Sequence, residues 1–309
     1  MTESLLLKPA APAQLPTGAR RFTGRTALLA RLCALDGGEV AMLTGPAGIG
    51  KTSLAVHWAR RAAGEFPDGQ LFVNLRGFDH VAQPVEPADA LRSFLAALGV
   101  PARRIPAGLD ERAALYRTEM ADRRAVVVLD NATVATQVRP LLPAARNCVT
   151  VVTSRNQLTG LIVREAARPI PVPPLTIAEA AQFLGGYRPV IEQCGGLPLA
   201  LSLVAARTGE PEPPGRGGDP HAGARGVFAW THRALTPPAA GIFRLLGRHP
   251  AHDLTATTVA GLAGLTVGQA AVILAELARA GLLIEFVPGR YLCHDLLHTY
   301  AAELAARYH

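Results

Sequence analysis

Lysine is almost missing from this 309-residue chain. Of its 31 basic side chains only Lys8 and Lys51 are lysines, and the rest are arginines. With 30 glycines, 25 prolines and abundant alanine, this is the residue usage of a GC-rich genome, so the net charge of +7 is weak support for a basic surface. Cysteine is scarce as well. Cys33, Cys148, Cys194 and Cys293 lie far apart with no C-x-x-C pair, which excludes a zinc knuckle and a disulfide framework and fits a reducing cytoplasm. Long apolar runs are missing: Val126-Val127-Val128-Leu129 and Leu282-Leu283-Ile284 have only the length of strands, far short of the roughly 18–20 residues of a membrane span. No membrane partner is expected. The N-terminus, MTESLLLKPAAPAQLP, lacks the basic start and long apolar stretch of a secretory signal. What is present is a chain 49% apolar and 18% charged, which excludes a disordered polymer and provides core material for about two domains.

The first 20 residues, rich in Pro and Ala, are expected to form a flexible tail. Strands and helices then alternate. The pattern predicts strands at Val40–Thr44, Leu71–Leu75, Ala125–Asp130, Cys148–Thr153 and Pro169–Val172. It predicts helices at Lys51–Ala63, Ala88–Leu98, Leu109–Ala121 and Val134–Leu142 between them. Such alternation implies an α/β fold, a parallel sheet with helices on both faces. After Pro173-Pro174 the composition turns helical, with helices expected at Leu175–Leu184 and Pro198–Ala206, and residues 209–226 read as a Gly/Pro-rich linker. Four further helices, a hairpin across Val287-Pro288-Gly289 and a last helix from Asp295 complete the chain. Helix, helix, hairpin is the winged-helix pattern. The expected domains are thus 1–20, 21–173, 174–225 and 226–309.

The strongest chemical signal is Gly45-Pro46-Ala47-Gly48-Ile49-Gly50-Lys51-Thr52, a G-x-x-x-x-G-K-[ST] motif between a predicted strand and a predicted helix. Glycines allow successive N–H groups to wrap a phosphate, and the helix N-terminus adds its positive dipole end. In that chemistry Lys51 meets the β- and γ-phosphates of ATP or ADP, Thr52 ligates Mg²⁺, and Ser53 follows on the helix. Asp130, at the tip of an apolar strand, is a candidate Walker B acid that holds Mg²⁺ through water. Val151-Val152-Thr153-Ser154-Arg155 brings a guanidinium to the same sheet edge, where Arg155 could sense a γ-phosphate.

Together these motifs resemble the NB-ARC group of STAND nucleotide-switch ATPases, over about residues 20–309. Arg21-Phe22-Thr23-Gly24-Arg25 resembles the group's hhGR motif, which implies that Phe22, Gly24 and Arg25 pack near adenine and ribose. Cys194-Gly195-Gly196-Leu197-Pro198-Leu199-Ala200 carries GLPLA, which implies that Pro198 lies by the adenine. Cys293-His294-Asp295 resembles MHD, with Cys in place of Met, and implies that His294 reaches the β-phosphate of ADP. The wording resembles the NB-ARC segments of SARP-type antibiotic regulators, which implies a regulatory role linked to transcription of secondary metabolism.

The chain also departs from that pattern. Where many members carry a second acid after the Walker B aspartate, this chain has Asn131, which cannot act as a general base. Hydrolysis is therefore expected to be slow or absent, with Asp79 and Glu86 as weak substitutes. The helical subdomain looks short. The 20 residues before Arg21 are too few for an effector domain and no repeats follow Tyr308, so a switch core is expected, standing alone or excised. Residues 226–309 hold six arginines against five acids, which argues against direct DNA binding by the winged helix. The expected partners are the nucleotide and, in the ATP state, an effector protein or a second copy. A steady ATPase driving a partner and a DNA-binding regulator are the alternatives.

Overall fold

The computed structural model describes residues 11–19, 22–78, 83–184, 191, 194–205, 220–249 and 254–307. Its first part runs α1 (Thr26–Cys33), β1 (Val40–Thr44), α2 (Lys51–Arg61), β2 (Gln70–Asn74), α3 (Pro87–Ala97), α4 (Leu109–Met120), β3 (Val126–Ala132), α5 (Ala135–Val138), β4 (Val149–Ser154), α6 (Thr159–Glu165) and β5 (Arg168–Pro171). The five strands form one parallel sheet in the order β2-β3-β4-β1-β5. Strand residues alternate between its two faces. Ala41, Leu43, Val126, Val128, Val149 and Val151 pack with Leu28 and Leu32 of α1 and Leu54 and Trp58 of α2. Val40, Met42, Val127, Leu129 and Val152 pack instead with Phe94 of α3 and Tyr116 and Met120 of α4. Burial on both faces explains why β1 and the first four residues of β3 read as nearly continuous apolar runs, and why β4 alternates valine with buried threonine and serine.

The second part contains α7 (Ile177–Leu184), α8 (Pro198–Ala205), α9 (Pro220–Arg233), α10 (Pro237–Leu246), β6 (Leu254–Thr255), α11 (Ala256–Ala263), α12 (Val267–Arg279), β7 (Ile284–Val287), β8 (Arg290–Leu292) and α13 (Asp295–Arg307). Here β6, β8 and β7 form a small antiparallel sheet in that order. Local chemistry sets the helix starts. Thr236 and Thr255 accept from the N–H groups of Ala239 and Thr258, and Thr266 and Gln269 form a reciprocal capping box ahead of α12. The apolar cluster on the α1/α2 side of the large sheet continues through Leu197 and Leu201 of the α8 region to Phe243, Leu274, Leu277 and Leu297. The C-terminal module is therefore packed on the α1/α2 side of the sheet. No single helix among the described residues is long and apolar enough to cross a membrane.

Three expectations need correction. Residues 12–14 are not a free tail: Gln70 N–H donates to Pro12 O (2.7 Å), Gln14 N–H donates to Gln70 O (3.0 Å), and Gln14 Oε1 accepts from Phe72 N–H (3.2 Å). β2 is an edge strand, and its open row of backbone groups recruits this segment. Helix α9 begins at Pro220, inside the stretch expected to be linker, while 209–219 lie outside the described residues. Helices α1 and α6 and strand β6 were not expected. They are short, and the β-branched Ile162 and Val163 obscure α6.

Candidate nucleotide site

Strand β1 delivers the chain into a turn that only glycine relaxes: Gly48 and Gly50 sit at φ 75° and 88°. Ile49 between them is fully buried and pins the loop to the core, leaving Pro46 and Ala47 at its rim. Lys51 opens α2 and folds back, its Nζ donating to the carbonyls of Gly45 (2.7 Å) and Pro46 (2.8 Å). The ammonium is thereby held across the loop that a phosphate would occupy.

β4 lies between the strands that carry the loop and the acid, and supplies a link between them. Asp130, 4% exposed, accepts at one carboxylate oxygen from Thr52 Oγ1 (2.6 Å) and from Thr153 Oγ1 (2.6 Å). Thr153 Oγ1 in turn accepts from Asn131 N–H (2.9 Å). Thr52 and Asp130 are brought together as the sequence predicts. An oxygen pair of this kind, completed by water and phosphate oxygens, suits Mg²⁺. No cluster of three or more His, Cys, Asp or Glu side chains suited to a metal exists among the described residues, so any metal here would rely on this pair. Thr153 is an addition to the predicted set. Asn131 occupies a left-handed conformation at φ 61° where β3 slips its register with β4. Arg155 leaves the end of β4, and its guanidinium lies 4.8 Å above the ring of Phe78. Of the candidate substitute acids, Glu86 is exposed at the N-cap position of α3, and Asp79 lies outside the described residues.

Beside the loop lies a cleft lined by Phe22, Arg25, Ile49, Gly50, Ser53, Leu175 and Pro198. Phe22 stacks face to face on His57 of α2, with centroids 3.9 Å apart and planes 7° from parallel. Burial lowers the His57 pKa, and Arg61 lowers it further. Arg25 is buried, and its guanidinium donates to the carbonyls of Ile49 (3.0 Å) and Pro173. Burial depresses the Arg25 pKa, and Glu179 opposes that shift. Gly24 is a partial correction: it is not among the residues lining the cleft but backs onto Glu179, whose carboxylate would stand 2.3 Å from a Cβ at that position. Arg21 lies outside the described residues.

The far wall comes from the second part of the chain. Pro198 begins α8, and Leu199 N–H donates to Gly48 O at 3.4 Å. A Cβ on Gly48 would lie 3.3 Å from both Leu199 Cβ and Leu296 Cδ2, so α8 and the start of α13 together cap the phosphate loop. His294 stands just before α13, and its Nδ1 accepts from Leu296 N–H (3.1 Å). The neutral ring then carries its proton on Nε2, a donor suited to a phosphate oxygen. The helix starts at Asp295, and His294 supplies its cap. Cys293 is buried, with its thiol directed at Leu282 O (3.6 Å).

The fold is that of a P-loop NTPase. A STAND (signal transduction ATPase with numerous domains) protein with a tetratricopeptide repeat sensor from Pyrococcus horikoshii superposes with a TM-score of 0.67, at 19% identity over 94% of this chain and 44% of that one. The regulatory protein AfsR of Streptomyces coelicolor is 36% identical over 333 residues, covering 96% of this chain and 33% of AfsR. AfsR of Streptomyces griseus is also 36% identical, over 96% of this chain and 34% of its own length. The chain thus spans about a third of the length of the curated relatives it matches. No family model matches it.

Proposed function

We propose that this chain is an ATP/ADP-binding conformational switch of the NB-ARC type, with a regulatory role in signal transduction in a reducing cytoplasm. The observation that carries the reading is the position of Gly48. It lies between Leu199 on α8 and Leu296 on α13, so the loop that would hold phosphates is also the surface on which both mobile parts of a switch would dock. In this reading residues 21–173 are the nucleotide domain, 174–225 a shortened helical subdomain and 226–309 a winged helix.

The loop N–H groups from Gly45 to Thr52 hold the diphosphate, and Lys51 exchanges its two carbonyl partners for phosphate oxygens. Thr52 and Asp130 would hold Mg²⁺, which when bound would neutralise phosphate charge. Phe22, backed by His57, and Pro198 flank the base. His294 donates from Nε2 to the β-phosphate of ADP and closes the winged helix over the loop. Arg155 turns from Phe78 to a γ-phosphate when ATP is bound. ATP, by weakening the His294 contact, frees the winged helix for an effector protein or a second copy. Each nucleotide shifts the closed–open balance only by its difference in affinity for the two states. Asn131 lacks a basic oxygen for the attacking water, so hydrolysis is slow and ATP acts as a lasting signal.

The relatives' description as regulatory proteins supports this role. Direct DNA reading is disfavoured: the exposed face of α12 presents Val267 and Val272, and Arg279 is its only basic side chain. The test is to purify the chain, denature it and identify the nucleotide released, with Lys51→Ala as control. ADP or ATP at near one per chain, and none from the control, supports the switch. No nucleotide, and no uptake of added ADP or ATP, refutes it.

A further inference from the structure

Gly24 (φ 68°) and Arg25 (φ 62°) turn the chain through two consecutive left-handed residues just before α1. Arginine holds that conformation only where its surroundings fix it. Here three bonds fix it, each to a different piece of the molecule. Its backbone N–H donates to Glu179 Oε1 on α7 (2.6 Å), and its guanidinium donates to Ile49 O in the phosphate loop and to Pro173 O in the segment between β5 and α7. The other carboxylate oxygen of Glu179 accepts from the N–H (2.9 Å) and hydroxyl (3.0 Å) of Thr176, immediately ahead of α7. A buried guanidinium facing two carbonyls requires a nearby negative charge, and the Glu179 carboxylate interacts with it. Gly24 must lack a side chain because that carboxylate fills its Cβ space. Arg25 also lines the cleft, facing the same space as Phe22 and Pro198.

We propose that Arg25 and Glu179 form a latch that couples occupancy of the cleft to the connection at residues 173–176, which acts as a hinge, with Glu179 a positioning residue for nucleotide retention. The inference rests on the nucleotide-binding reading above. A ligand bearing on Arg25 presses on a group tied at once to the phosphate loop, the hinge and the first turn of α7. When the latch holds, α7 and the Pro198 wall stay closed on the cleft. When the carboxylate is lost, the hinge opens and ligand leaves.

The experiment follows release of ADP carrying a methylanthraniloyl group on its ribose from the full chain, alongside hydrogen exchange of residues 177–184. Glu179→Gln is expected to release this probe about tenfold faster than the unaltered chain. Thr176→Ala, which keeps the charge but removes one of its anchors, is expected to fall between them. ADP should slow exchange of α7 in the unaltered chain and leave it unchanged in Glu179→Gln. Release at the unaltered rate in both variants overturns the latch. So does α7 exchange raised equally with and without ADP, which marks a helix merely loosened. If the unaltered chain takes up no probe, the nucleotide reading itself fails, and the latch with it.

Discussion

At the scale of single residues, the site depends on a few atoms whose partners are already set. His294 spends Nδ1 on the start of α13, which leaves Nε2–H as its donor. His294→Ala should therefore weaken ADP binding about tenfold, with a smaller loss for ATP, as read by calorimetric titration of both nucleotides. Equal losses would refute the sensing role. Asn131 sits at φ 61°, a conformation that aspartate also tolerates, directly after the buried Asp130. Asn131→Asp should restore a general base without remodelling the turn and raise phosphate release above that of the unaltered chain. An unchanged rate would place the block to hydrolysis elsewhere. The lysine shortage acquires meaning at this scale. In a chain that otherwise uses arginine nearly throughout, Lys51 bridges two loop carbonyls with a compact ammonium, a geometry that a planar fork would not reproduce.

At the scale of elements, packing decides. Gly247 follows α10, and a Cβ there would lie 2.3 Å from Ala302 N and 2.4 Å from Ala301 C, backbone atoms of α13 that cannot step aside. Gly247→Ala should cost about 2–3 kcal/mol, measured by denaturant unfolding. A loss within experimental error would mean that α10 and α13 are not held together as described. On α9, His232 packs against Phe243 of α10, and its buried Nε2 has no partner among the described residues. Burial lowers its pKa below 6.5, Arg244 lowers it further, and a backbone hydrogen bond at Ala240 acts the other way. The unfolded chain therefore binds this proton more readily than the folded one. Stability should be fullest above pH 6.5 and decline as pH falls from 6.5 through the lowered value. The decline should flatten in His232→Gln, and an identical pH profile in the two proteins would contradict the assignment. The elements themselves were largely legible. β1 and β3 are buried on both faces and read as largely apolar runs, β4 is marked by its β-branched Val and Thr, and the turn chemistry of residues 45–52 fixes strand before and helix after. Less legible were the features that depend on distant partners. Residues 12–14 look like tail because nothing local shows that β2 is an edge strand, and β6 pairs with a strand 36 residues downstream. Glu179 had a local signal, Thr176-x-x-Glu179 ahead of an apolar run, but its bond to Arg25 crosses 154 residues.

At the scale of the whole molecule, the account makes the phosphate loop a meeting point. The parallel sheet brings Thr52, Asp130 and Thr153 to one edge, and α8 and α13 close over it through Leu199 and Leu296. The sequence motifs nominate the candidate residues of the site. They could not show that Leu296, an ordinary apolar residue of an amphipathic helix, would rest against Gly48, because that contact exists only once the two parts dock. The central claim is that nucleotide identity governs this docking. Cys33 is the exposed cysteine of the four, and Val272 on α12 is exposed, so dyes at Cys33 and at Val272→Cys report on the two parts without touching the site. The most direct test is the energy-transfer distance between them in the ADP-loaded chain and in the chain loaded with a non-hydrolysable ATP analogue and Mg²⁺. The account predicts a single short distance with ADP and a longer or broader one with the analogue. Identical distance distributions in the two states, with both nucleotides bound, would contradict it.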